Sequence, residues 1–238
     1  MIMKSLTVFN QEYKMILDKN VFEPNLTTKL MIESCYEKIK KMKKINLVDI
    51  GCGCGIIGIV LKKKLKIKEK SYFSDISSNA VENTKKNLEL YNQNGEVLKG
   101  NVLNPWKNKK FNVYISDVSA IAHDISIISP WYKSVENNSG TDGTKFTIEF
   151  LKFFKDNNIN KSFIFFPVIS LSNRKKILKF LNDNFQNYKC LNKKTWFLPE
   201  EFNGQEKLLE NLKKKDVIDF KEYFGKKLCF TEIYCIKI

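Results

Sequence analysis

Leu47-Val48-Asp49-Ile50-Gly51-Cys52-Gly53-Cys54-Gly55-Ile56-Ile57-Gly58 decides the fold of this chain. An apolar strand carrying one carboxylate runs into a glycine-dense turn, and the turn opens an apolar helix. Glycine lets backbone approach a ligand closely, and a helix N-terminus presents N–H groups that lack intrahelical partners. That combination suits a nucleotide-like cofactor. As written, Gly53-Cys54-Gly55-Ile56-Ile57-Gly58 matches the G-x-G-x-x-G of dinucleotide-binding turns, and Asp75 follows at about the spacing of a ribose-binding acid. An NAD(P)-dependent oxidoreductase is therefore one reading of the turn. Two acids point elsewhere: Asp49, one residue before the strand ends, and Asp75, which begins a loop and helix.

Outward from this turn, apolar runs alternate with helical periodicity. Strands are expected at 45–50, 71–74, 96–99, 111–116, 162–168, 188–197 and 227–237. Helices are expected at 56–65, 78–91, 144–156, 173–185 and 205–215. Alternating strands and helices predict an α/β fold, a doubly wound, seven-stranded and mostly parallel sheet. The ending differs: a charged helix separates the last two strands and no amphipathic helix follows the final one, so the final strand is expected to run antiparallel. Residues 1–44 read as a helical entry segment on the substrate side of a 45–238 domain. Within it a helix capped at Asn25 runs toward Lys44, and Val21-Phe22-Glu23-Pro24 is extended because a residue before proline avoids helical geometry.

At 238 residues, 43% of them hydrophobic, the chain can bury one sizeable core. It contains no apolar run of membrane-spanning length and no signal-peptide pattern at its start, so a cytoplasmic protein without a membrane partner is expected. The six cysteines lack metal-ligand spacing and His123 is the sole histidine, so free thiols and no metal are expected. The formal charge of +15 raises nucleic acid as a partner. Nearly all of that charge is lysine, however. Arg174 is the single arginine, and arginine is the preferred bidentate reader of phosphate and guanine.

With these residues in view, the chain resembles the class I S-adenosylmethionine-dependent methyltransferases. Asp49, Gly51, Cys52, Gly53 and Gly55 stand in that family's first motif. Asp75 resembles its ribose-binding acid and Ile76 the residue packed on adenine. Gly100-Asn101-Val102-Leu103 resembles the turn beside the adenine amino group, with Asn101 in place of the usual acid. The resemblance implies S-adenosyl-L-methionine as cofactor. Within the family, Phe111 to Asp117, the turn Ser139-Gly140-Thr141-Asp142-Gly143-Thr144 and Val21 to Pro24 are most similar to the branch that methylates amide or ring nitrogens, such as release-factor glutamine and RNA-base methyltransferases.

That branch carries Asn-Pro-Pro-Tyr after its fourth strand, where the present chain reads Asp117-Val118-Ser119-Ala120. Asp117 can still accept an amine hydrogen, but the rigid prolines and the stacking tyrosine are missing. The expected acceptor is therefore a small molecule methylated on O or N, with an RNA base or a protein glutamine as the alternative. His123 and Asp117 are the candidate bases, Asp117 also being near the cofactor. Trp131, Tyr132 and Phe22 are the candidate walls of a substrate pocket. Asp142 is expected to serve as a turn acid.

Overall fold

A computed structural model describes residues 2–118, 121–133, 135, 137, 139–157 and 159–238. The chain opens with a β-hairpin, β1 (Ile2–Val8) and β2 (Gln11–Leu17), closed by Phe9 and Asn10, both at positive φ. This corrects the expectation of a helical entry segment. In β2 the buried residues Tyr13, Met15 and Leu17 alternate with exposed Glu12 and Lys14, a period of two that a helix cannot present on one face. The hairpin is fastened to the domain by two buried asparagines. Asn87 Oδ1 accepts the Ile16 N–H at 2.7 Å, while Asn83 and Asn87 each donate to the Ile16 carbonyl at 2.9 Å.

Helix α1 (Leu26–Ile39) starts where expected. Asn25 accepts the Thr27 N–H at 2.8 Å, and Thr28 completes a capping box. It stops at Ile39, short of Lys44. The domain then alternates through β3 (Leu47–Ile50), α2 (Ile56–Leu65), β4 (Ser71–Asp75), α3 (Ser78–Leu90), β5 (Gly95–Lys99), β6 (Val113–Ser116), α4 (His123–Ile128), α5 (Lys145–Asp156), β7 (Phe163–Ile169), α6 (Arg174–Asn184), β8 (Tyr188–Phe197), α7 (Glu206–Lys214), β9 (Lys221–Tyr223) and β10 (Lys226–Lys237).

The main sheet has the order β5-β4-β3-β6-β7-β10-β8, with the short β9 paired to β10. The contacts β5-β4, β4-β3, β3-β6 and β6-β7 are parallel. Strand β10 inserts between β7 and β8 and is antiparallel to both. The seven expected strands and the antiparallel last one are thus present, and β9 is an added hairpin arm. Strands β3 and β6 are buried along their whole length, as strands covered by helices on both faces must be. Strand order reverses direction between β3 and β6, and in open α/β sheets ligands bind beyond the carboxyl ends of strands at such a point. Among the described residues, no helix is long and apolar enough to cross a membrane.

Candidate active site

The turn after β3 is pinned to the neighbouring strand. The Gly51 and Cys52 N–H groups both donate to the Ser74 carbonyl, at 2.8 and 3.0 Å. Gly51 has φ +66, and a Cβ there would meet Val118 Cγ2 at 2.3 Å, so a side chain is excluded by both backbone conformation and space. At Gly53, φ +57, a Cβ would meet nothing within 4 Å, because the residue faces an open cleft. Asp75 closes the arrangement: its carboxylate accepts the Gly53 and Ser77 N–H groups, each at 2.9 Å. Burial raises the Asp75 pKa, and these backbone donors oppose the rise.

Gly51, Cys52, Gly53, Asp75, Ile76, Asn101, Val102 and Asp117 all line one cleft of about 740 Å³ beyond the carboxyl edge of the sheet. Ile76 is 60% exposed and presents an apolar surface to it. Asn101 donates from Nδ2 to Glu149 at 2.6 Å, which fixes its amide. Val102 holds φ +46, a strained conformation for a β-branched residue. Glu149 and Phe146 of α5 also line the cleft; they belong to a helix whose sequence reads only as amphipathic.

Two residues of the first motif do not reach the cleft. Asp49 is buried, and its Oδ2 accepts the Gly58 N–H at 3.0 Å. Burial pushes its pKa well above the usual carboxylate range, with the Gly58 donor opposing. Asp49 thus stabilises the start of α2 from behind the wall. Gly55 is the N-cap of α2, and a Cβ on it would collide with Thr84, again away from the cleft.

A second cavity, of about 280 Å³, adjoins the first. Phe22, Asp117 and Val118 line both. Its walls include Trp131, Tyr132 and Trp196, with Phe22 and Tyr132 ring centroids 5.4 Å apart and Trp131 and Trp196 5.6 Å apart. Pro167, Ile169 and Leu171 supply its apolar floor. The three expected substrate residues, Phe22, Trp131 and Tyr132, thus line one cavity. Trp196 carried no sequence signal, since it lies on β8, far along the chain, and the strand order alone brings it here.

Asp117 follows β6 at the junction of the cavities. Thr28 Oγ1 donates to its Oδ2 at 2.8 Å, and burial raises its pKa from 3.8 to about 7, the Thr28 bond opposing the rise. Ser119 and Ala120, the rest of the altered motif, lie outside the described residues. His123 is exposed at the start of α4 and lines neither cavity. Its expected role as base is corrected on that ground: a base must reach the acceptor. Asp142 accepts the Thr144 N–H and hydroxyl and pairs with Lys176, as a turn acid does. Among the described residues no His, Cys, Asp and Glu group could hold a metal.

Residues 12–117 match the family model of the methyltransferase small domain. The release factor glutamine methyltransferase of Fusobacterium nucleatum is 24% identical over 175 residues, covering 71% of this chain and 49% of that relative. Among solved structures, the Thermus thermophilus 16S rRNA N2 G1207 methyltransferase, in complex with AdoMet and guanosine, superposes with a TM-score of 0.59 at 13% identity, over 97% of this chain and 50% of that one. The precorrin-6y C5,15-methyltransferase of Geobacter metallireducens superposes with a TM-score of 0.57 at 9% identity, over 94% of both chains. The chain spans about half the length of the first two. The fold is that of the class I methyltransferases, and the antiparallel β10 separates it from the dinucleotide-binding fold that the glycine turn also matched.

Proposed function

We propose that this chain, with its class I methyltransferase fold and its methyltransferase small domain, binds S-adenosyl-L-methionine in the larger cleft and methylates a small molecule seated in the smaller cavity. The observation that carries this reading is that a polar, glycine-floored cleft and an apolar, aromatic cavity meet at Asp117 and Val118. The residues present fit the cofactor. Open space lies over Gly53, the Asp75 carboxylate lines the same cleft for ribose hydroxyls, and Ile76 offers an apolar face for a purine. When bound, the sulfonium supplies an activated methyl group open to in-line displacement.

The protein's own contribution is positioning. Phe22, Trp131, Tyr132 and Trp196 exclude water and hold an apolar body, and Asp117 orients the group that receives the methyl. Alignment of this kind contributes several kcal/mol to a displacement, up to about 7–11 in the best-oriented systems. A mainly apolar cavity with a single carboxylate supports a metabolite over an RNA base or a glutamine amide, because the chain lacks the Asn-Pro-Pro-Tyr stretch that holds a planar NH2 group in the branch it resembles. The relatives' named substrates span RNA and protein, and the +15 charge keeps those as the competing reading.

Calorimetry with S-adenosylhomocysteine tests the cofactor site. The wild type binds, and Asp75→Ala loses at least tenfold in affinity while its circular dichroism is retained. Equal affinity in the two proteins would overturn the assignment. Steep salt-dependent retention of RNA would favour the competing substrate class.

A further inference from the structure

We infer that the smaller cavity is built for the ammonium form of an amine on an apolar body, paired to Asp117 and ringed by Phe22, Trp131, Tyr132 and Trp196. The inference rests on the methyltransferase reading and narrows it to a class of acceptor.

Three observations converge on it. First, Asp117 is a carboxylate without a countercharge. Thr28 occupies Oδ2, and among the described residues no lysine or arginine pairs with it, although the chain has 41 basic residues. A carboxylate in an apolar cavity calls for a cation or a strong donor. Second, four aromatic side chains surround the same space, and ring faces attract cations, most strongly when water is excluded. Third, several other polar atoms of the wall already have partners. Asn25 Oδ1 caps Thr27, while Thr27 Oγ1 and Trp196 Nε1 both meet Thr231 Oγ1, at 3.5 and 3.1 Å. The carboxylate's second oxygen is left to accept. An amide or a base edge needs a donor as well as an acceptor, whereas an ammonium only donates.

The chemistry balances with groups at hand. The bound ammonium gives one N–H proton to the Asp117 carboxylate and regains its lone pair. That lone pair forms the new N–C bond as the C–S bond breaks, its electron pair passing to sulfur, so the sulfonium becomes a neutral thioether. The product leaves as the methylated ammonium, and Asp117 returns its proton to water. Burial raises the Asp117 pKa, which makes its carboxylate a better proton acceptor than an exposed one. The groups facing it are Thr28 and the Cys35 thiol on α1 and the Asp49 carboxylate on β3, none of them cationic.

Phenethylamine and its neutral analogue phenethyl alcohol separate charge from shape. Each is titrated into the full chain with S-adenosylhomocysteine present, reading tryptophan fluorescence, since Trp131 and Trp196 line the cavity. The amine is expected to bind at least tenfold tighter than the alcohol, and Asp117→Asn to remove that preference. Trp196→Leu, which keeps the carboxylate, is expected to weaken the amine by threefold or more. Equal affinities in the wild type, or a preference that survives Asp117→Asn, would overturn the inference. Calorimetry of S-adenosylhomocysteine on the same samples keeps the two readings apart. Retained cofactor binding without amine preference overturns the amine assignment alone, whereas absent cofactor binding overturns the methyltransferase reading itself.

Discussion

Asp117→Asn is expected to make the protein more stable at pH 8 and hardly more stable at pH 4. In the folded chain the Asp117 pKa lies at about 7, against the ordinary carboxylate value of 3.8. A carboxyl group whose folded pKa is raised favours folding fully only below its unfolded value, and that contribution is lost as pH rises through the folded value. Each pKa unit corresponds to about 1.4 kcal/mol, so the interval from 3.8 to about 7 amounts to about 4 kcal/mol of destabilisation at pH 8. At pH 5 only the interval from 3.8 counts, or about 1–2 kcal/mol. Asparagine keeps an acceptor for Thr28 without the charge. The raised Asp49 and Asp75 remain in both proteins and largely cancel; what does not cancel is the relief of Asp49 from its neighbour's charge, which has the same sign. Urea unfolding of both proteins at pH 5 and pH 8 measures the effect. The stability difference should grow by about 2–3 kcal/mol between the two pH values. A difference independent of pH, or a wild type as stable as the variant at pH 8, would refute the account of Asp117 as a buried and uncompensated acid. Stability is here traded for a charge that the proposed site uses.

Two further substitutions probe the frame around the site. Gly51→Ala forces a side chain into φ +66 and against Val118, at a combined cost of about 2–5 kcal/mol, read by thermal unfolding; an unchanged melting temperature would mean that the turn relaxes freely. Arg174→Met removes the guanidinium that donates to buried Glu232 at 2.7 and 3.2 Å and leaves, among the described residues, Lys193 as counterion at 2.9 Å. A loss of about 1.5–3 kcal/mol is expected by urea unfolding at pH 7. Because Arg174 and Lys193 hold Glu232 below its ordinary value, that contribution is present above about pH 4.5 and fades as acid protonates the group. A variant with wild-type stability at pH 7 would show the pair to be energetically silent.

Much of the proposed cofactor cleft was legible along the chain because each of its parts is local. An apolar strand, a glycine turn and an acid at the next strand end are encoded within a few residues of one another, and parallel strands deliver their carboxyl ends to one edge. Asp49 shows the limit of such reading. Its place in the motif is local, but whether its carboxylate faces the cleft or the Gly58 amide depends on the packing of α2 against β3. His123 shows the same limit, since proximity in sequence to Asp117 did not bring it to the cavity. The N-terminal hairpin was missed because its alternation is short and its anchors, Asn83 and Asn87, lie on a distant helix.

The sequence by itself determined the order of the main-sheet strands and most of their connecting helices from β3 onward, the glycine turn and the acids at successive strand ends, because periodicity and backbone freedom are properties of neighbouring residues. Only the tertiary structure decided how the proposed acceptor cavity is assembled. Phe22 precedes the first helix, Asp117 follows β6, Trp131 sits in the turn after α4 and Trp196 lies on β8. Insertion of the antiparallel β10 between β7 and β8 sets where β8 lies, and so brings Trp196 opposite Trp131. The spacing of those four residues along the chain carries no trace of their meeting, because contacts between distant segments are set by sheet order and helix packing.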